Sequence, residues 1–114
     1  MIFLALQDSA QRGELILIEG GYCRWRMRKD GQITILEIIS LRKGAGSEML
    51  EMLKKEGKKK KAYSIFAKCP AILPANEWYK KRGFVSEGEE KVRSGSIVYL
   101  WRLELRKKFL VIKY

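Results

Sequence analysis

Residues 42–57 read RKGAGSEMLEMLKKEG, and the fold turns on what this stretch does. Arg42 and Lys43 run into Gly44-Ala45-Gly46, and an amphipathic segment follows at once. Met49, Leu50, Met52 and Leu53 recur at helical spacing while Glu48, Glu51, Lys54 and Lys55 fall on the other side. The pattern predicts a helix that begins at the glycines and ends at Gly57 in a C-cap role, with a basic last turn that suits the helix dipole. Two glycines just before a helix strip side chains from the backbone and leave amide N–H groups facing outward. With the positive end of the dipole behind them, such amides hold an anion, typically a phosphate. The plainer reading is a glycine turn that only starts a helix, so the surrounding chain has to separate the two.

Upstream, QITILEIISL (32–41) is nearly all apolar and reads as a central strand covered on both faces. It is joined through Asp30-Gly31, a hairpin signal, to YCRWRMRK (22–29), where Cys23, Trp25 and Met27 alternate with Arg24, Arg26 and Arg28. Downstream, Lys58 to Lys61 lead into AYSIFAKC (62–69), a further buried strand. Strand, glycine turn, helix and strand make a βαβ unit whose neighbouring strands are parallel. Nearer the N-terminus, Met1 to Leu6 reads as a strand, QDSAQRG as a polar turn, and ELILIE (14–19) as a strand broken by Gly20-Gly21. Past a loop bracketed by Pro70 and Pro74, ANEWYKKR (75–82) reads as a short helix stopped by Gly83. FVSEGEEKV and SIVYLWRLEL form a closing hairpin around Arg93-Ser94-Gly95, and RKKFLVIKY (106–114) is left as a tail or edge strand suited to a second subunit.

The chain has 114 residues, the size of one domain (1–114), and with 46% hydrophobic residues it can build a core. No apolar run is long enough to span a bilayer, and MIFLALQD is too short and lacks the basic start of a signal peptide, so the expectation is a cytoplasmic protein without a membrane partner. There is no histidine, which excludes His-based metal sites, a Ser-His-Asp triad and a Cys-His dyad together. Cys23 and Cys69 lie far apart with no CxxC spacing and read as free, partly buried thiols. The net charge of +11 favours polyanions, either nucleic acid or a phosphorylated cofactor, although a solvated lysine-rich face produces the same number.

Two separated motifs converge. ANEWYKKRGF places Trp78-Tyr79 just ahead of Gly83-Phe84, and RKGAGS lies between a buried strand and a helix. Together they resemble the GNAT superfamily of acetyl-CoA-dependent N-acetyltransferases. ANEWYKKRGF is similar to that family's A-x-x-F/W-Y-x-x-x-G-F signature, matched at Ala75, Trp78, Tyr79, Gly83 and Phe84. RKGAGS resembles its Q/R-x-x-G-x-G/A turn, matched at Gly44 and Gly46, with Leu41 where the family has Gln or Arg and Arg42 one step on. The resemblance spans roughly residues 20 to 105 and implies an α/β (α+β) fold. In that fold a mixed, mostly antiparallel central β-sheet carries a central parallel βαβ unit. Here the N-terminal helices that usually wall the acceptor site would be reduced or absent.

By that resemblance the co-substrate is acetyl-CoA, with no metal. The amides of Lys43, Gly44, Ala45, Gly46 and Ser47 would cradle its pyrophosphate, Arg42 and Lys43 would add charge, and Lys80 or Lys81 would meet the 3′-phosphate. Main-chain groups of Ile39, Ser40 and Leu41 would hold the pantetheine arm and the acetyl carbonyl. Tyr79 matches the family's general acid for the departing thiolate, and the alternative is an aromatic that packs the short helix. Asn76 either bonds the pantetheine or caps that helix. Glu37, an acid within an apolar strand, is the candidate general base, against a carboxylate paired with Arg24, Arg26 or Arg28, or a water relay. Cys69 as an acyl-carrying nucleophile lacks any histidine to activate it. The expected activity is direct acetyl transfer to an amine on a small molecule or a protein. The rival is a non-catalytic basic module that binds nucleic acid through Lys58–Lys61, Arg106–Lys108 and the tryptophans. A homodimer is also compatible with the tail.

Overall fold

A computed structural model describes residues 2–106. Six strands form one sheet in the order β1-β2-β3-β4-β6-β5, with three helices between them. In chain order these are α1 (Ile2–Gln11), β1 (Leu15–Ile18), β2 (Gly21–Met27), β3 (Gln32–Ser40) and α2 (Ala45–Lys59). Then follow β4 (Ser64–Pro70), α3 (Ala75–Lys81), β5 (Val85–Lys91) and β6 (Ile97–Glu104). Only β3 and β4, the two strands that α2 connects, are parallel. The βαβ unit and both hairpins read from the sequence are therefore present, within a sheet that is otherwise antiparallel.

One face of the sheet carries the core. Strand alternation sends Cys23, Trp25, Ile33, Ile35, Ile65, Ala67, Trp101 and Leu103 to that face, where α2 covers them with Met49, Leu50 and Leu53. Burying each of these three helix side chains contributes about 1.5–3 kcal/mol. At Gly21 a Cβ would stand 2.6 Å from the Ile39 carbonyl oxygen and 2.9 Å from Met49 Cε, so glycine lets the β3 backbone and the tip of Met49 both lie close against β2.

Three readings of the sequence need correction. Residues 2–6 are helical, not a strand, and the polar stretch QDSAQ continues the same helix. The unbroken apolar run hid the period that matters. Ala5, Leu6 and Ser9 turn inward against β1 and β2 while Phe3, Leu4 and Gln7 face solvent, a helical spacing. Asp8 ties this helix down through Arg12 and, at 3.7 Å, Arg26. Next, β3 is not covered on both faces, since Leu36, Glu37, Ile38 and Ile39 are all only half-buried. Finally, Gly57 does not cap α2 but lies inside it, packed so closely that an added Cβ would meet Leu105 Cδ1 at 2.5 Å. The tail reading for 107–114 lies outside the described residues.

The end of α2 shows why Gly57 was the wrong cap. The Ala62 amide donates to the Gly57 carbonyl (2.8 Å) and the Lys61 amide to the Lys58 carbonyl (3.2 Å), the paired bonds of a Schellman motif. The left-handed residue this motif requires is Lys61, at φ 60°, the only non-glycine with positive φ among the described residues. Lysine there is strained by about 1–2 kcal/mol, part of which glycine would give back through its more flexible unfolded chain. Lys61→Gly should therefore raise stability by about 0.5–1 kcal/mol, read as a shift in the denaturant midpoint at unchanged slope. An unchanged or lowered midpoint would show that Lys61 is not strained.

Candidate functional site

β3 and β4 pair only from Gln32↔Ser64 to Ile35↔Ala67, although both strands run on, to Ser40 and Pro70. The cause lies in the pairing of β2 with β3. Arg24 pairs with Glu37 and Trp25 with Ile35, leaving Leu36 as an extra residue. A bulge of this kind bends its strand and increases local twist. Past the bulge β3 stays with β2 while β4 stays with β6, and a wedge opens between them at their carboxyl ends. Crevices at the carboxyl ends of strands are where open α/β sheets bind ligands.

A cavity of about 440 Å³ fills the mouth of this wedge. Its walls are Ile38 and Ser40 from β3, Arg42 to Gly44 from the turn, Gly46 and Ser47 from the first turn of α2, and Ala75, Trp78, Tyr79 and Arg82 from α3 and its end. Gly44 takes the left-handed conformation at φ 86°, and a Cβ placed on it would meet nothing within 4 Å. The turn is thus open toward the cavity. Among the described residues, the amides of Lys43, Gly44, Gly46 and Ser47 donate to no protein acceptor, whereas that of Ala45 is taken by the Arg42 carbonyl (3.2 Å). Four free donors at the positive end of a 15-residue helix are an arrangement that could hold an anion. Gly46 serves a different purpose, since its Cβ would stand 3.1 Å from Trp78 Cζ2 and push α3 away.

Three cations border these amides, and their freedom differs. Arg42 is tethered: its stem crosses Gly20, its Nε donates to the Glu19 carbonyl (2.9 Å), and its Nη2 pairs with Glu48. Lys43 is exposed and unpaired among the described residues, and Arg82 lies 5.9 Å over the Trp78 ring. Arg82, Trp78, Ala75 and Ile38 were not singled out from the sequence as cavity residues. Lys80 and Lys81, which were, are exposed but do not line it.

α3 presents Tyr79 to the cavity while burying most of its ring, which is 5% exposed. The ring stacks on Trp101 (6.3 Å between centroids, 17° between planes) and meets Trp78 and Phe84 edge-on. Burial pushes the phenol well above its ordinary value, and the neighbouring Cys69 and Cys23 add to the effect. Among the described residues, no side chain hydrogen-bonds to it. It therefore keeps its proton at neutral pH.

The remaining candidates sit elsewhere. Asn76 is 8% exposed, and both of its amide N–H groups are engaged within the protein. Its Nδ2 donates to the carbonyls of Pro70 and Leu73, both at 2.9 Å, and its Oδ1 accepts from Trp101 Nε1 at 2.9 Å. Its reading as a pantetheine contact gives way to a buried clamp that fixes α3 against β6. Ala45 is packed in the core, the Leu41 side chain is 78% exposed, and Ile39, opposite Tyr22, points to the other side of β3 from Ile38. Glu37 shares that other side. It pairs with Arg24 (3.1 Å), and its hydrogen bond with Tyr22, after burial, raises the Tyr22 phenol.

Neither cysteine is poised as a nucleophile. Burial raises Cys69, and it pushes Cys23 from 9.0 to about 12 against the opposing pull of Arg24. In the unfolded chain the Cys23 thiol ionises near pH 9, while the fold holds its proton to about pH 12. The folded state therefore binds more protons across that window, and stability falls as pH rises, by about 1.4 kcal/mol per pH unit. Denaturation midpoints measured from about pH 8 to about pH 11 should fall for the wild type and less steeply for Cys23→Ala. Equal slopes would remove the buried thiol as the cause.

No protein-family model matches the sequence, and no curated protein matches it. Solved structures do. A Bacillus anthracis chain assigned as a streptothricin acetyltransferase, in complex with acetyl coenzyme A, superposes with a TM-score of 0.68 at 20% identity over 75% of this chain and 55% of its own. A Desulfovibrio desulfuricans chain assigned as an acetyltransferase of the GNAT family gives 0.70 at 20% identity over 76% and 62%. The ribosomal-protein-S18-alanine N-acetyltransferase of Escherichia coli gives 0.66 at 16% identity over 83% and 67%. The chain has the GNAT fold. It spans 55% and 62% of the lengths of the first two.

Proposed function

We propose that this chain transfers an acetyl group from acetyl coenzyme A to an amine. The observation that carries the proposal is the row of free amides at Lys43, Gly44, Gly46 and Ser47, set at the N-terminus of α2 and at the open end of the β3–β4 wedge. A cradle at one end of a slot between strands suits a long ligand with a pyrophosphate at one end and a reactive thioester at the other. Lys43, Arg42 and Arg82 supply the charge, and the half-apolar walls at Ile38 and Trp78 suit the arm between. Backbone groups of β3 past Ile35, freed from β4, stand ready to hold that arm and orient the acyl carbonyl. When bound, the cofactor supplies an activated acyl group.

Tyr79 supplies a proton at the wedge, where a thiolate would need one. Burial makes this phenol a weaker acid than usual, so it would have to give up its proton in concert with cleavage of the C–S bond. Direct transfer fits two cysteines held as thiols. Glu37, on the part of β3 that has left β4, faces the side opposite the cavity wall at Ile38, from which an amine would approach. Taking up a proton there would cost its ion pair with Arg24, so a water relay beside it is the other route for the amine proton.

Calorimetric titration of acetyl coenzyme A tests the reading. The wild type should bind with micromolar affinity, and Lys43→Glu and Gly46→Glu should each weaken binding by about tenfold or more. The Lys43 side chain is exposed, so its variant guards against misfolding of the glycine variant. Once an acceptor amine is found by screening, Tyr79→Phe should lower kcat by about 10- to 100-fold with cofactor affinity retained. A wild type that binds no acetyl coenzyme A would overturn the proposal.

A further inference from the structure

The end of the molecule away from the cavity carries a second charged surface that the acetyl-transfer reading leaves unused. β3 begins at this end and finishes at the cavity, and α2 begins at the cavity and returns, a rise of about 22 Å over its 15 residues. Three segments meet there. The β2–β3 turn brings Arg28 and Lys29, the C-terminus of α2 and its Schellman turn bring Lys58, Lys59, Lys60 and Lys61, and the residue after Leu105 brings Arg106. Backbone hydrogen bonds hold the three together: the Tyr63 amide to the Gly31 carbonyl (3.1 Å) and the Leu105 amide to the Tyr63 carbonyl (2.9 Å). Leu105 also packs directly over Gly57.

All seven cations are exposed, and none is in an ion pair with a described residue. Elsewhere the same chain does pair its charges, as in Arg12–Asp8, Lys54–Glu51, Lys68–Glu90 and Arg102–Glu87. The acids at this end are Asp30, Glu104 and Glu14, with Glu56 one turn back; the Asp30 carboxylate is engaged by the Gln32 amide (3.0 Å) and that of Glu14 by the Met27 amide (2.8 Å). Like charges gathered without counterions create a field that condenses a polyanion. Exposed large apolar side chains such as Leu41 and Ile72 lie at the cavity end, and near this end the sheet edge carries Val85, opposite Arg102, so the pole has little of the apolar component of a membrane-surface patch.

We infer that this basic pole binds the phosphate backbone of a nucleic acid strand without sequence preference, independently of the acetyl-transfer cavity. The two sites are at opposite ends of α2, so the strand would hold the enzyme while the cavity stays open. The readings stand apart: the pole needs no cofactor, and loss of one site leaves the other.

Fluorescence anisotropy with a labelled single-stranded RNA of about 20 nucleotides, in the absence of acetyl coenzyme A, tests this. Contacts to about four phosphates predict a log–log salt slope near −3, so that binding weakens about 60-fold between about 50 and about 200 mM salt. The variant Lys29→Gln/Lys58→Gln/Lys59→Gln should reduce the slope by about 2 and weaken binding at low salt at least tenfold. Lys91→Gln/Arg93→Gln, which removes exposed cations from the β5–β6 hairpin, should leave binding within about twofold. Both variants should keep the wild-type circular dichroism and acetyl coenzyme A affinity. Absence of RNA binding at low salt, equal weakening by the two variants, or uptake by acidic phospholipid vesicles in place of RNA would each overturn the proposal.

Discussion

Beyond Ile35 and Ala67 the two parallel strands are no longer paired, where Leu36 is one residue more than β2 can match. That parting governs the arrangement of the site. It exposes main-chain groups of β3 where they would otherwise be spent on β4, and it leaves room at the strand ends for the turn into α2. The cost in lost pairing is offset on either side, where β2 and β6 keep their partners aligned. Without the bulge, the glycine turn would open onto solvent rather than onto a slot.

The cavity is held in shape from the other side by a buried polar contact. Asn76 secures the carbonyls at the end of β4 and accepts from the Trp101 indole, and Trp101 in turn stacks on Tyr79. A chain of specific contacts thus sets the pose of the Tyr79 ring, and burial raises the phenol. Gly46 completes the wall by letting the start of α2 approach Trp78. The helix that presents the free amides and the helix that presents the phenol are therefore seated against each other, and neither can shift alone.

Much of this was legible in the primary structure. The Asp30-Gly31 hairpin, the βαβ unit and the glycine turn each rest on local rules, namely turn conformation, hydrophobic period and chirality of the crossover, which act over a few residues. Residues in the turn from Arg42 to Ser47 could be named from their place between a strand and a helix, and Tyr79 from the resemblance of ANEWYKKRGF to the GNAT signature. The failures have physical causes of the same kind. An apolar run such as IFLAL fits strand and helix alike until a neighbour selects the face that is buried. Gly57 suited a cap by composition, but its lack of a side chain is spent on Leu105, a contact 48 residues away in the chain.

The sequence by itself determined the order of elements from β1 onward, the presence of donors in the turn, the surplus of positive charge and the absence of histidine chemistry, because each is a property of composition or of near neighbours. Only the tertiary structure decided that Arg82 rather than Lys80 or Lys81 borders the cavity, and that both N–H groups of Asn76 are engaged within the protein. It also placed Glu37 and Ile38 on opposite faces of β3, and it divided the cations between the cavity and the far pole. Those outcomes depend on strand register, on one bulge and on where a helix ends. These are set by packing between segments distant in the chain, which no local pattern encodes.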